Sequence, residues 1–149
     1  MINKIDFEKR KHLLIFIEKV DDDFSPSLSS RINLNTYVDK LLSQADIYAY
    51  IVAGEIKGVV AYYANDPDLI DAYISFIAVD KMYRNAGIGN TLMRWVINDL
   101  KTKGFTYIKL TARKSSPSVD FYKRFGFLAM NEFSYSNSDV DGLVMALKI

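Results

Sequence analysis

The chain has 149 residues, half of them hydrophobic and a quarter charged, with a net charge of +1, which fits one domain with a sizeable core. The lack of cysteine excludes disulfides, thiolate metal sites and a cysteine nucleophile, and His12, the one histidine, argues against a histidine triad or a metal centre. No apolar run approaches the roughly 20 residues of a membrane span, and MINKIDFEKRKHLL is charged where an export signal is apolar, so a cytoplasmic protein with no membrane partner is expected.

Apolar positions Ile5, Phe7, Leu13, Leu14, Phe16, Ile17 and Val20 recur among charges and predict an amphipathic helix over residues 3–19. The stretch DDDFSPSLSS, with three acids, a proline and four serines, is a loop. Asn33 or Asn35 caps a second helix carrying Leu34, Val38, Leu41 and Leu42. IYAYIVAGEIKGVVAYYA reads as two strands joined by a tight turn at Gly54-Glu55; NDPDLI is the next turn and DAYISFIAV the next strand. Beyond VDKMYRNAGIGNTLM, Ile88, Leu92, Trp95, Val96 and Leu100 fall at helical spacing, which places Trp95 in the core; Gly104 ends that helix. FTYIKLTA is a strand, Ser116-Pro117 opens a short helix with Pro at its first position, and Gly126 closes it. FLAMNEFSY and GLVMALKI are two last strands around a polar turn. With no linker or repeat, the order α-α-β-β-β-α-β-α-β-β describes one mixed α/β domain over residues 1–149.

Charge is uneven along this order. Between Lys81 and Arg124 lie ten Lys/Arg and only two acids, Asp99 and Asp120. The block begins at the glycine loop and suits a polyanionic ligand, although solvated helix faces are also often lysine-rich. A strand–glycine loop–helix turn can hold phosphate, but whose phosphate depends on the pattern. A nucleotide P-loop needs Lys directly after its second glycine, and Asn90 follows Gly89. A dinucleotide loop starting at Gly87 needs a third glycine where Leu92 stands, and an acid about 20 residues on, where Lys109-Leu110 stands.

A third pattern fits. Arg84-Asn85-Ala86-Gly87-Ile88-Gly89 matches R/Q-x-x-G-x-G/A, Ile77-Ala78-Val79 supplies the hydrophobic strand end before it, and Phe121-Tyr122-Lys123-Arg124-Phe125-Gly126-Phe127 supplies an aromatic-Tyr segment one strand later. In these motifs, over residues 47–148, the chain resembles the GNAT family of acyl-CoA N-acyltransferases. The resemblance implies an α/β fold with a mixed, mostly antiparallel six- to seven-stranded sheet, flanked by helices and splayed between the strands near 71–79 and 106–112. It also implies acetyl-CoA as co-substrate, with no metal. Physical chemistry agrees independently: N–H groups at a helix start, with the helix dipole, bind diphosphate, glycine lets a ligand approach, and Arg84 can add a charge-assisted contact. The cofactor-binding residues implied are Ile77, Ala78, Val79, Arg84, Asn85, Ala86, Gly87, Ile88, Gly89, Asn90, Ser116 and Tyr122. The sequence departs from the family at Ser116, where asparagine is common, and at the front, where only Ile2–Ile5 offers the usual first strand.

The chemistry implied is direct attack of an amine on the thioester. The Ile77–Val79 backbone would hold the pantetheine arm and the Val79 N–H would stabilise developing charge. Tyr122 is the candidate general acid; with reference pKa values of about 10 for tyrosine and 8.5 for a thiol, it is a donor at pH 7. For a base, alternation puts Asp71, Tyr73, Ser75 and Ile77 on one strand face, with Tyr73 or Ser75 able to relay a proton through water and strand packing as the alternative. The acids at 21–23 and Arg31 either border the acceptor or are simply solvated. The expected activity is acetyl transfer from acetyl-CoA to a small-molecule primary amine, such as an amino sugar. The alternatives are a protein Lys or N-terminal acetyltransferase and a non-catalytic acetyl-CoA-binding module. The expected state is monomer or homodimer, with no nucleic-acid partner.

Overall fold

Seven strands form one sheet in the order β1-β2-β3-β4-β5-β7-β6 in a computed structural model that describes residues 1–24, 26–136 and 139–149. They are β1 (Ile2–Lys4), β2 (Asp46–Val52), β3 (Glu55–Tyr63), β4 (Asp71–Val79), β5 (Tyr107–Arg113), β6 (Leu128–Ser136) and β7 (Asp139–Lys148). Four helices flank them: α1 (Arg10–Val20), α2 (Leu34–Gln44), α3 (Ile88–Lys103) and α4 (Ser118–Arg124). Every neighbouring pair is antiparallel except β4 and β5, which run parallel. This is the mixed, mostly antiparallel α/β sheet expected. Among the described residues no helix is long and apolar enough to cross a membrane.

The sheet separates two cores. Leu13, Phe16, Ile17 and Val20 of α1, with Val38 and Leu41 of α2, pack on Val59, Ala61 and Phe76. On the other face, Ile88, Leu92, Met93, Val96 and Leu100 of α3, with Val119 and Tyr122 of α4, cover Val60, Tyr62, Ala72, Ile74, Ile108 and Leu110. Strand β3 therefore alternates between cores, as a central strand with both faces covered must. Asn33 caps α2, its side chain accepting from the Thr36 N–H at 3.0 Å. Gly104 ends α3 at φ 91°, with its N–H donating to the Leu100 and Lys101 carbonyls.

Several expectations are corrected. Residues 3–19 are not one helix. Ile2–Lys4 pairs with Tyr48–Tyr50 as an edge strand, Asp6 caps a 3-10 turn over Phe7–Lys9, and α1 starts at Arg10. Only Leu13, Phe16, Ile17 and Val20 share the helix's buried stripe, whereas Phe7 is 58% exposed. The hairpin turn is Ala53-Gly54, both at positive φ (52° and 80°), and Glu55 already pairs with Val52; that left-handed pair matches the strand twist. Pro117 stands immediately before α4 rather than within it. Trp95 is 39% exposed and rests on the Tyr48 ring, 5.0 Å between centroids. The loop after α1 contains 3-10 turns at Asp21–Asp23 and Leu28–Ser30. The polar turn between β6 and β7 lies outside the described residues.

The splay has a local cause. Strands β4 and β5 pair only from Asp71 to Tyr73, against Tyr107 to Lys109. Just beyond, Ile74 lies opposite Tyr62 but Phe76 opposite Ala61, so Ser75 is an extra residue, a β-bulge. Bulges bend a strand and end its pairing. The bulge also resets the faces: Ala72 and Ile74 join the α3 core, Phe76 joins the α1 core, and Ile77 and Val79 return to the α3 side. Asp71, Tyr73 and Ser75 thus do not share a face with Ile77, contrary to simple alternation.

Candidate active site

The splay opens a cleft of about 760 Å³, lined by the end of β4, the glycine loop, α4, β5 and the loop after α1. Next to the cleft, at the end of β4, Asp80 is 2% exposed. The Asp80 N–H donates to the Lys57 carbonyl at 2.8 Å. Its carboxylate accepts from Lys19 Nζ at 2.6 Å and from the Met82 N–H at 3.0 Å. The Lys19 hydrogen bond, then the Met82 one, hold its pKa below the usual carboxylate value despite burial. Lys57 Nζ lies 4.6 Å from the Tyr83 ring centroid. These contacts fix the 3-10 turn Lys81–Tyr83 that launches the glycine loop.

The loop then turns through Asn85 (φ 66°) and Gly87 (φ 83°) into α3. The Gly87 carbonyl accepts from the Thr91 N–H at 3.0 Å and from Thr91 Oγ1 at 2.9 Å, so α3 is anchored from its first turn. Ile88, Gly89 and Asn90 occupy that first turn, where N–H groups have no intrahelical acceptor. A Cβ on Gly87 would meet nothing within 4 Å, whereas one on Gly89 would touch the Phe121 ring at 3.5 Å.

Strand β4 offers a second row of backbone groups. Val79 lies opposite Gly58, and the neighbouring Asp80 N–H takes the Lys57 carbonyl. Antiparallel pairing alternates, so Ile77 and Val79 turn their own N–H and C=O away from β3, toward the splay. Arg84 Nε donates to the Val79 carbonyl at 3.2 Å and Arg84 Nη2 to Asp23 Oδ2 at 2.7 Å.

Of the residues expected at a cofactor site, the cleft brings together Ile77, Ala78, Val79, Arg84, Asn85, Gly87, Ile88, Gly89, Asn90, Ser116 and Tyr122. Ala86 does not line it; it is an exposed residue of the turn. Tyr122 is 8% exposed, edge-on to Phe121 at 5.5 Å and to Phe127 at 5.9 Å. Ser116 Oγ accepts from the Ser118 N–H at 3.2 Å and is 2.7 Å from Ser118 Oγ, so its hydroxyl serves the start of α4.

The opposite wall holds Phe24, Pro26, Arg31 and Thr111. The acids at 21–23 divide their roles. Asp21 is buried and receives the Ser29 N–H (2.9 Å) and Oγ, Asp22 is exposed, and Asp23 alone lines the cleft. Asp71 pairs with Lys109 at 3.2 Å, at the closed end of the splay. Ser75 Oγ is 2.7 Å from the hydroxyl of Tyr37, a residue of α2 that no sequence spacing marks as part of this region. Burial first of all pushes the Tyr37 pKa up to about 12. Tyr73 and Thr111 approach across the splay, 3.3 Å between oxygens. Part of the basic block is paired with acids: Lys103 with Asp46 and Asp99, Lys114 with Glu132, and Arg113, which lines the cleft, with Asp141. Among the described residues no group of three or more His, Cys, Asp or Glu side chains is placed to hold a metal.

Comparison with known proteins adds to this geometry. The family model for the acetyltransferase (GNAT) family matches residues 16–127. No curated protein sequence matches the chain significantly. Among solved structures, an acetyltransferase of the GNAT family from Streptococcus pneumoniae is 19% identical, with 100% of this chain and 99% of that one covered and a TM-score of 0.78. The ribosomal-protein-S18-alanine N-acetyltransferase from Escherichia coli is 18% identical, with 100% and 93% covered and a TM-score of 0.81. A GNAT family acetyltransferase from Elizabethkingia anophelis with acetyl-CoA bound is 19% identical, with 100% and 97% covered and a TM-score of 0.73. At such identities the likeness to these structures is one of fold.

Proposed function

The chain belongs to the acetyltransferase (GNAT) family, and we propose that it moves an acetyl group from acetyl-CoA directly to the primary amine of a small molecule, an amino sugar or aminated metabolite being the kind expected. The observation that carries this reading is the meeting in one cleft of two sets of backbone groups: the outward edge of Ile77 and Val79 and the first turn of α3 at Gly87–Asn90. The first suits an extended arm lying along the strand, and the second suits a diphosphate. The open space at Gly87 gives such a ligand room beside the backbone.

Acetyl-CoA supplies an activated acetyl thioester. The Val79 N–H is directed at the splay, where it stabilises negative charge developing on the acyl oxygen. Tyr122 holds the proton that the departing sulfur needs; help of this kind is worth on the order of 10²–10⁴-fold. With no cysteine in the chain, no cysteinyl acyl carrier is available, which agrees with direct transfer.

The acceptor wall favours an amine of modest basicity. Asp23 is the one acid lining the cleft among the described residues, and Arg84 holds it. Besides the cationic Arg31, the polar groups on this side, Thr111 in the wall and Tyr73, Ser75 and Tyr37 beside it, are hydroxyls suited to relaying a proton rather than removing one. Freeing an amine of pKa about 10.4 at pH 7 costs roughly 4–5 kcal/mol, whereas an α-amino group costs about 1 kcal/mol. A protein N-terminus meets the same requirement and is the second reading.

A thiol-release assay decides. Amino sugars, amino acids, polyamines and N-terminal peptides are offered with acetyl-CoA, and released CoA is read without protein background. Turnover is expected with amino sugars or other weakly basic small amines. Turnover with peptides alone selects the second reading, and acetyl-CoA binding without turnover of any amine selects a non-catalytic module.

A further inference from the structure

Arg84 is held twice, and only one hold is replaceable. Its Nε contact to the Val79 carbonyl fixes the side chain to the end of β4, while Nη2 reaches Asp23 on the loop after α1. Both residues line the cleft. Their side chains remain 26% (Asp23) and 45% (Arg84) exposed. Solvent screening limits a pair this open to about fivefold in an equilibrium constant. A diphosphate offers the same guanidinium several anionic oxygens, and such charge-assisted bonds are worth about tenfold or more. The guanidinium carries five N–H donors in a fixed fork, so the Val79 bond can persist while the Asp23 arm is exchanged.

We propose that Asp23 sets the donor affinity by competing with the diphosphate of acetyl-CoA for Arg84, so that donor binding exchanges the Asp23 carboxylate for phosphate oxygens on that side chain. This inference rests on the reading of the cleft as the acetyl-CoA site. It gives Asp23 a sign that a ligand residue or a purely structural residue would not have: its removal strengthens donor binding.

The test is calorimetric titration of acetyl-CoA into the wild-type chain, Asp23→Asn, Arg84→Gln and the double variant. Asp23→Asn should tighten binding about two- to fivefold, Arg84→Gln should weaken it tenfold or more, and Asp23→Asn should change nothing in the Arg84→Gln background. Equal or weaker binding by Asp23→Asn overturns the inference, as does an Arg84→Gln affinity equal to wild type. Equal tightening in both backgrounds overturns it too, because Asp23 would then act through its own charge on the diphosphate. A wild-type chain that fails to bind acetyl-CoA at millimolar concentration instead overturns the reading of the cleft, and the inference falls with it. Asp23→Asn preserves side-chain size and Arg84→Gln shortens the side chain, both at partly exposed positions, and thermal melting verifies that the variants are folded.

Discussion

Tyr122 and Gly87 carry the clearest consequences of single side chains. Tyr122 is packed edge-on between two phenylalanine rings at the cleft. Tyr122→Phe keeps that ring packing and removes only the hydroxyl. Turnover should fall on the order of 100-fold with acetyl-CoA affinity within about twofold; unchanged turnover in the thiol-release assay removes Tyr122 as the acid. Gly87 was readable as a glycine that leaves room for a ligand, but its own requirement is conformational. At φ 83°, an added Cβ strains the backbone although it meets no protein atom within 4 Å. Gly87→Ala should lower stability by about 1–2 kcal/mol and weaken acetyl-CoA binding, measured by melting and calorimetry on the same sample. Gly89 lacks this constraint, since its φ is not positive. The two glycines of one motif therefore do different things, which the motif itself does not say.

At the scale of elements, helices were legible where a cap and a buried stripe coincide. Asn33 and the Val38–Leu41 stripe place α2 correctly, and Asn33→Ala should cost about 1 kcal/mol, read as a lower melting temperature. The first segment misled because apolar residues of a strand, a turn and a helix happen to fall at helical spacing. Nothing in DAYISFIAV marks Ser75 as a bulge, because an extra residue shows only against the partner strand. Gly58 is another position fixed by a neighbour: a Cβ there would lie 2.8 Å from Ile88 Cγ2, at the start of α3. Gly58→Ala should destabilise by about 1–3 kcal/mol. It should also weaken acetyl-CoA binding by displacing the first turn of α3; full donor affinity in calorimetry would show that the turn tolerates the shift.

Across the whole molecule, the Asp80 carboxylate ties α1 through Lys19 to the end of β4 and, at 3.9 Å, faces Lys57 of β3. Its pKa is lowered in the fold, so its contribution to stability is fully present above the unfolded value of about 3.9. That contribution is lost as pH falls through the lowered folded value. Asp80→Asn should therefore be less stable than wild type at neutral pH, and the difference should shrink below about pH 4. Chemical denaturation at pH 7 and pH 3 checks the sign, and a gap that is the same at both values counts against the ion pair as its source.

The sequence by itself determined the proposed donor side. Glycine spacing, the missing P-loop lysine and the aromatic-Tyr segment are local patterns, because a diphosphate cradle is made by one continuous stretch of backbone at a helix start. The loop residues 84–90, apart from Ala86, meet Tyr122 in one cleft. Only the tertiary structure decided what faces that cradle. Asp23 on Arg84, Tyr37 on Ser75 and Tyr73 beside Thr111 join segments separated by 61, 38 and 38 positions. Such contacts are set by strand register, by one bulge and by the packing of α1 and α2 against the sheet, none of which leaves a periodic or short-range trace in the chain.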